Sequence, residues 1–251
     1  MLMITLLKSS EAGAAIADIV MSHQAVFILL LIIGGLGWLV QWRLNSVFEK
    51  YSKEPSPKGM TGAEAAEKML RDHNIHNVKV THTGGILTDH YNPSNLTVNL
   101  SDAVYSSRSI AAVAVACHEC GHAIQHAQGY AFLQLRSQLV PIVNISSRFA
   151  QFVIIGGILL MSFSGIEWVC WLGVAMVAMS ALFSIITLPV EYNASSRALE
   201  WMESTRLVDE YEIKGARTTL RWAARTYLVA AISAIATILY YIVMILARRR
   251  K

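Results

Sequence analysis

The stretch Ser109 to Gln125, SIAAVAVACHECGHAIQ, contains His118-Glu119-Cys120-Gly121-His122, an H-E-x-x-H pattern inside a run that reads as one helix. Two histidines four residues apart on an α-helix are separated by about 40° around the axis and about 6 Å along it, so both imidazoles can reach one metal ion. Such a pair suits tetrahedral zinc. Glu119 lies about 60° round from His122 on the same broad face, where it can take a proton from an activated water without ligating the metal. Chance is the competing explanation for so short a pattern. The helix-compatible, Ala-rich run before it and the stop signal at Gly129 argue against chance.

A hydrolytic zinc site needs a third protein ligand. His126 continues the series 118, 122, 126, but on a straight helix it lies about 12 Å along the axis from His118, too far to share a metal at bonds of about 2 Å. No glycine break precedes it of the kind that turns a third histidine back onto the metal. His126 therefore reads as a surface group or a support to the ligands. Glu191, in Leu188-Pro189-Val190-Glu191-Tyr192-Asn193-Ala194-Ser195-Ser196-Arg197, is better placed. It stands where an apolar run closes, and a carboxylate there is costly without a partner. A metal is one such partner; a helix cap or an ion pair with Arg197 is the alternative. Cys117-x-x-Cys120 overlaps the histidine pair with no βαβ pattern around it, so it reads as two buried helix cysteines. Three cysteines in all argue against a disulfide framework.

The elements that must position these groups follow from pattern. Pro55 and Pro57 break the chain, and Thr61-Gly62-Ala63-Glu64 forms a capping box ahead of an amphipathic helix reaching to about His73. Val78-Lys79-Val80, the turn Gly84-Gly85 and Leu96-Thr97-Val98-Asn99-Leu100, alternating with period two, predict a small antiparallel sheet before the H-E-x-x-H helix. Helix, small sheet and metal helix followed by a second metal-contributing helix is the zincin plan, in which a sheet edge can hold an extended substrate chain; the alternative is a sheet that only covers the helix.

With 54% hydrophobic and 15% charged residues and a mean hydropathy of +0.44, this is a membrane protein by composition. Ala25 to Val40, Trp168 to Leu188 and Tyr227 to Leu246 are long and apolar enough to span. Phe149 to Phe163, with Gly156 and Gly157, is a shorter fourth span or a re-entrant arm. The first apolar run lacks a small-x-small cleavage site after it and reads as a retained anchor. The residues before it suggest a short surface helix or tail.

The fold expected is thus a mainly α membrane protein, with a zincin-like core joined to about four transmembrane helices. The chain divides into 1–48 with a helix at about 25–42, a catalytic region 49–147 with its motif helix at 109–126, two membrane helices in 148–188, a third-ligand region 189–226 and a final helix with a basic tail, 227–251. The net charge of +4 lies near the membrane segments, favouring lipid headgroups over nucleic acid. Arg43, Lys50, Lys53 and Lys58 after the first span favour a cytoplasmic site. Four spans then put Arg248-Arg249-Arg250-Lys251 outside, against the same rule.

Between Thr61 and Arg225 the chain resembles the YugP-type family of neutral zinc metallopeptidases, bacterial membrane proteins related to the HtpX-type proteases. The resemblance rests on Thr61-Gly62-Ala63-Glu64, Asp89-His90-Tyr91-Asn92-Pro93, Arg108 to Ala116, His118-Glu119-x-Gly121-His122-Ala123-Ile124-Gln125, Gly129-Tyr130, Leu135-Arg136-Ser137 with Leu139-Val140-Pro141, and Leu188 to Tyr192. It implies a gluzincin-like site in a bacterial plasma membrane: one zinc on His118, His122 and Glu191, with Glu119 as general base. Relatives carry Asp at the position of Asn193, and the HtpX-type proteins have Asp where this chain has Ser195, so a carboxylate that orients a ligand histidine is missing or supplied elsewhere. By side-chain chemistry His90, Tyr91 and Arg197 are candidate donors to an oxyanion.

The function these readings favour is hydrolysis of peptide bonds in membrane or misfolded proteins. The competing class is a membrane scaffold that keeps zinc without catalysis; three ligands with an open fourth position favour catalysis. Hydrolysis of another substrate, such as lipid, ranks last. Polypeptide and bilayer are the partners implied, with a further copy or a membrane protein as possible company. The apolar run Ile110 to Cys117 is too short to span, which places cleavage at or near the membrane surface.

Overall fold

The computed structural model describes the backbone of residues 23–249 except 57 and 86, and the side chains between 27 and 246. The expectations for the first residues and for the end of the basic tail lie outside these. The element order is α1 (His23–Ser52), α2 (Gly62–Asp72), β1 (Lys79–Thr83), β2 (His90–Asn92), β3 (Thr97–Ser101), α3 (Asp102–Tyr105), α4 (Ile110–Ala127), α5 (Ala131–Ser164), α6 (Trp168–Ser204) and α7 (Glu210–Arg249). Among the described residues four helices are long and apolar enough to cross a membrane: Phe27–Ser52, Ala131–Ser164, Trp168–Ser204 and Glu210–Leu246.

Residue contacts divide the chain into two compact units. One comprises 38–140 with 183–228 and contains the sheet and the H-E-x-x-H helix. The capping box is formed there: Thr61 Oγ1 accepts from the Glu64 amide at 3.1 Å and Glu64 Oε2 from the Thr61 amide at 2.8 Å. Helix α2 then buries Ala65, Ala66, Met69 and Leu70 in a core with Val98, Leu100, Ala112, Ala116 and Ile124. Ser109 caps α4 by accepting from the Ala112 amide at 3.2 Å, and α4 ends before Gly129, whose φ of 64° suits a glycine.

The sheet corrects the expectation of antiparallel pairing. Its order is β1-β3-β2, with β1 parallel to β3 and only β2 antiparallel to it. Alternation with period two fixes which face of a strand is buried but not the direction of its neighbour. The short strand β2 between the two expected strands takes the antiparallel place.

Two further corrections concern the long helices. Of the two readings of Phe149 to Phe163, a fourth span holds and the re-entrant arm does not: the segment is the second half of α5, a continuous helix of 34 residues that is long and apolar enough to cross a membrane. Glu191, expected at the close of a membrane helix, lies inside α6, which continues to Ser204. Beyond Pro189 the helix is sustained by the buried stripe Val190, Ala194, Ala198, Trp201 and Met202, spaced by about one turn. Packing of that stripe outweighs the single helix bond that proline removes.

The other unit, 1–37 with 141–182 and 229–251, takes in the remaining helix segments. Gly157 lets α5 meet α6 closely: a Cβ there would lie 2.7 Å from the backbone nitrogen of Cys170. Such small-residue contact replaces a hydrophobic drive between helices in lipid.

Helix α4 approaches α6 closely within the first unit. A Cβ on Gly121 would lie 2.5 Å from the backbone oxygen of Ala194 on α6. Gly121→Ala must push the two helices apart, so a loss of about 1–3 kcal/mol is expected, read as a lower midpoint in thermal unfolding of detergent-purified protein. Gly84→Ala, with open space around it, should leave the midpoint unchanged.

Candidate metal centre

Helix α4 presents His118 and His122, and the neighbouring turn of α6 presents Glu191. The imidazole rings stand edge to face with centroids 4.8 Å apart. His118 Nε2 is 3.1 Å from Glu191 Oε2, and His122 Nε2 is 3.7 Å from Glu191 Oε1. One ligand atom from each residue lies within 4.8 Å of the other two. The three converge on a cleft of about 430 Å³ whose walls include Glu119, Tyr91, Leu133, Arg136 and Tyr227.

The outer ring nitrogens explain which way the inner ones face. Gln125 Nε2 donates to the Val190 carbonyl at 2.8 Å and to Asn193 Oδ1 at 2.9 Å, so Gln125 Oε1 is the atom turned to His122 Nδ1, 3.0 Å away. That nitrogen must carry the proton, which leaves the Nε2 lone pair aimed at the carboxylate. Arg197 Nε donates to Asn193 Oδ1 at 2.7 Å and fixes the Asn193 amide as well. His118 Nδ1 lies 3.1 Å from Ser195 Oγ.

A metal cation fits this donor set. Glu191 is 3% exposed, and its Oε1 has no hydrogen-bond partner among the described residues, though the Arg136 guanidinium lies 3.1 Å away. Lone pairs of nitrogen and oxygen that face each other in a buried site need a positive charge between them. The electrostatics agree: burial alone favours a neutral His122, but the Glu191 carboxylate outweighs it and raises the imidazole's pKa. Three carboxylates, Asp89, Glu119 and Glu191, and one guanidinium, Arg136, line the cleft, so negative charge is in excess there.

Glu119 is buried and points from α4 to the sheet, where its Oε2 accepts from the Tyr91 amide of β2 at 2.9 Å. The other proposed residues are distributed around this centre. His90 lines the cleft but is exposed, with Nδ1 at 2.8 Å from the Thr88 carbonyl. Tyr91 lines it too, and its hydroxyl is 2.6 Å from Nδ1 of the exposed His126, which lies outside the metal-ligand group. Arg197 and Asn193 stand behind the ligands, outside the cleft wall. Cys117 and Cys120 are buried, free thiols; burial holds both far above the usual range, so neither supplies a thiolate.

Reading the sequence missed Gln125, Arg136 and Tyr227 as parts of this site. Gln125 was within reach, since a residue three positions after His122 shares its helix face. Arg136 and Tyr227 come from α5 and α7, and no local pattern ties them to the motif.

Gln125→Leu deprives His122 Nδ1 of its acceptor while keeping similar volume. Affinity for zinc, measured by chelator competition on the purified chain, should fall about 10- to 100-fold.

Comparison with known proteins agrees with this geometry. A family model described as "Putative neutral zinc metallopeptidase" matches residues 26–246. The "Putative membrane protease YugP" of Bacillus subtilis (strain 168) is 40% identical over 225 residues, covering 89% of this chain and 98% of its own. No solved structure matches. A match of this extent, over a chain whose H-E-x-x-H histidines face a buried glutamate, shows that the protein belongs to the family described as putative neutral zinc metallopeptidases.

Proposed function

We propose that this membrane protein is a zinc-dependent endopeptidase of the gluzincin type, built on a zincin-like core, with His118, His122 and Glu191 holding one zinc ion. The observation that carries the reading is the convergence of both motif imidazoles on Glu191, each with its outer nitrogen beside a hydrogen-bonding partner. A zinc ion held there supplies a Lewis acid that polarises water and the scissile carbonyl.

The protein's own groups divide the remaining work. Glu119, steadied by the Tyr91 amide, accepts the proton of the attacking water and passes it to the leaving amine. Arg136 and Tyr227 join His90 and Tyr91 as donors that line the cleft and can be offered to the carbonyl oxygen, whereas Arg197 is engaged by Asn193. The strand β2, at the sheet edge, borders the cleft and offers extended backbone to a polypeptide. Positive residues after the first span favour a cytoplasmic cleft, with membrane or misfolded proteins as substrates.

Glu119→Gln keeps the metal ligands, so the variant should retain zinc and lose at least about 100-fold in cleavage of an unfolded membrane protein. Chelation should abolish wild-type cleavage and added zinc should restore it. Zinc retention by both forms with cleavage by neither would point to a non-catalytic scaffold instead. Tyr227→Phe removes only the phenol, and a loss of about 100-fold in kcat with KM unchanged is expected from steady-state kinetics.

A further inference from the structure

Arg43 on α1 and Arg225 on α7 place their guanidinium carbons 6.0 and 4.1 Å from the centroid of the Trp222 ring. Arg221 stands one turn before Arg225 on the same face of α7. The ion pairs among the described residues engage Arg71, Arg108, Arg136 and Arg217, and leave Arg43, Arg221 and Arg225 without a carboxylate. Two unneutralised guanidiniums at one indole, with a third one turn away on α7, form a concentrated positive surface.

Their depth is set by the sequence. The apolar run of α1 ends at Val40 and that of α7 begins at Tyr227. Arg43 and Arg225 therefore stand about 3–5 Å along their helices from the apolar edge, at the level of lipid headgroups. Trp222 is an interfacial residue by type and by position. Below Arg43 on α1, Trp42, Leu39 and Trp38 are exposed, Trp38 at 70%, and offer apolar surface to an acyl chain. Arg221 also lines a recess of about 270 Å³ with Tyr192, Ser196 and Arg217, room for the polar remainder of a headgroup.

We propose that Arg43, Trp222, Arg225 and Arg221 form a binding site for an anionic phospholipid of the surrounding bilayer. The phosphate is held by the guanidiniums, and Trp222 orients those of Arg43 and Arg225 through cation–π contact. Zwitterionic lipids are disfavoured because their own cationic group meets three arginines, and the indole that could receive a quaternary ammonium is already engaged. Arg43, Trp222, Arg225 and Arg221 are not among the residues lining the metal cleft, and the proposal does not depend on the protease reading.

The test uses the full-length protein, delipidated in detergent and titrated with phosphatidylglycerol or phosphatidylcholine of identical acyl chains, with native mass spectrometry as readout. Wild type should prefer phosphatidylglycerol, and the double variant Arg43→Gln with Arg225→Gln should bind it about 30-fold more weakly. The double Lys variant keeps both charges and should keep the preference, which separates loss of the site from loss of the fold. Inorganic phosphate should not displace the lipid. Equal binding of the two lipids by wild type, unchanged phosphatidylglycerol binding by the Gln variant, or displacement by inorganic phosphate would each overturn the proposal.

Discussion

The site depends on how closely α4 approaches α6. With no side chain at Gly121, the Ala194 backbone comes within a distance that any Cβ would forbid. That contact lies between His118 and His122 on one helix and beside Glu191 on the other. Three ligand atoms can thus converge within 4.8 Å although their residues are far apart in the chain. A single methyl group at position 121 acts on stability and on site geometry together, because one packing contact serves both.

The second constraint is the burial of Glu191. An ionised carboxylate at 3% exposure is tolerated only with compensating charge and hydrogen bonding. Arg136 supplies one charge from α5, and the two histidines face the same oxygens. The outer shell then fixes the histidines: Gln125 through Val190 and Asn193, and Ser195 through its hydroxyl. Each of these partners lies on α4 or α6, so the contact that creates the site also orients it.

The local parts of this arrangement were legible in the sequence. The capping box, the glycine stop and the apolar spans all depend on neighbours within a few residues, where spacing carries the signal. Strand direction was not legible, since β1 and β3 become parallel only through β2, a segment of three residues too short for a period. The length of α6 was hidden because Pro189 reads as a stop, while the buried stripe beyond it is visible only against the partner helix. Arg136 and Tyr227 share that difficulty: each is an unremarkable residue of its own helix and gains meaning only across the cleft.

Asn193 and Ser195 do with neutral groups what a carboxylate often does behind a ligand histidine. A carboxylate near a ligand histidine serves to accept the outer ring proton and hold the ring. For His122 an acceptor is present in Gln125 Oε1, and Asn193 Oδ1 is an oxygen that holds the Gln125 amide in that sense. An Asp at 193 would receive the same two donors, Gln125 Nε2 and Arg197 Nε, so the neutral residue fills the same place in the network with one less negative charge near the ligands. Ser195 reaches His118 Nδ1 directly, and its hydroxyl can accept the ring proton that a carboxylate would otherwise take. The two neutral residues therefore keep the charge behind the histidines low without leaving either ring unsupported, and the cleft holds its excess negative charge where Glu119 and Glu191 face inward.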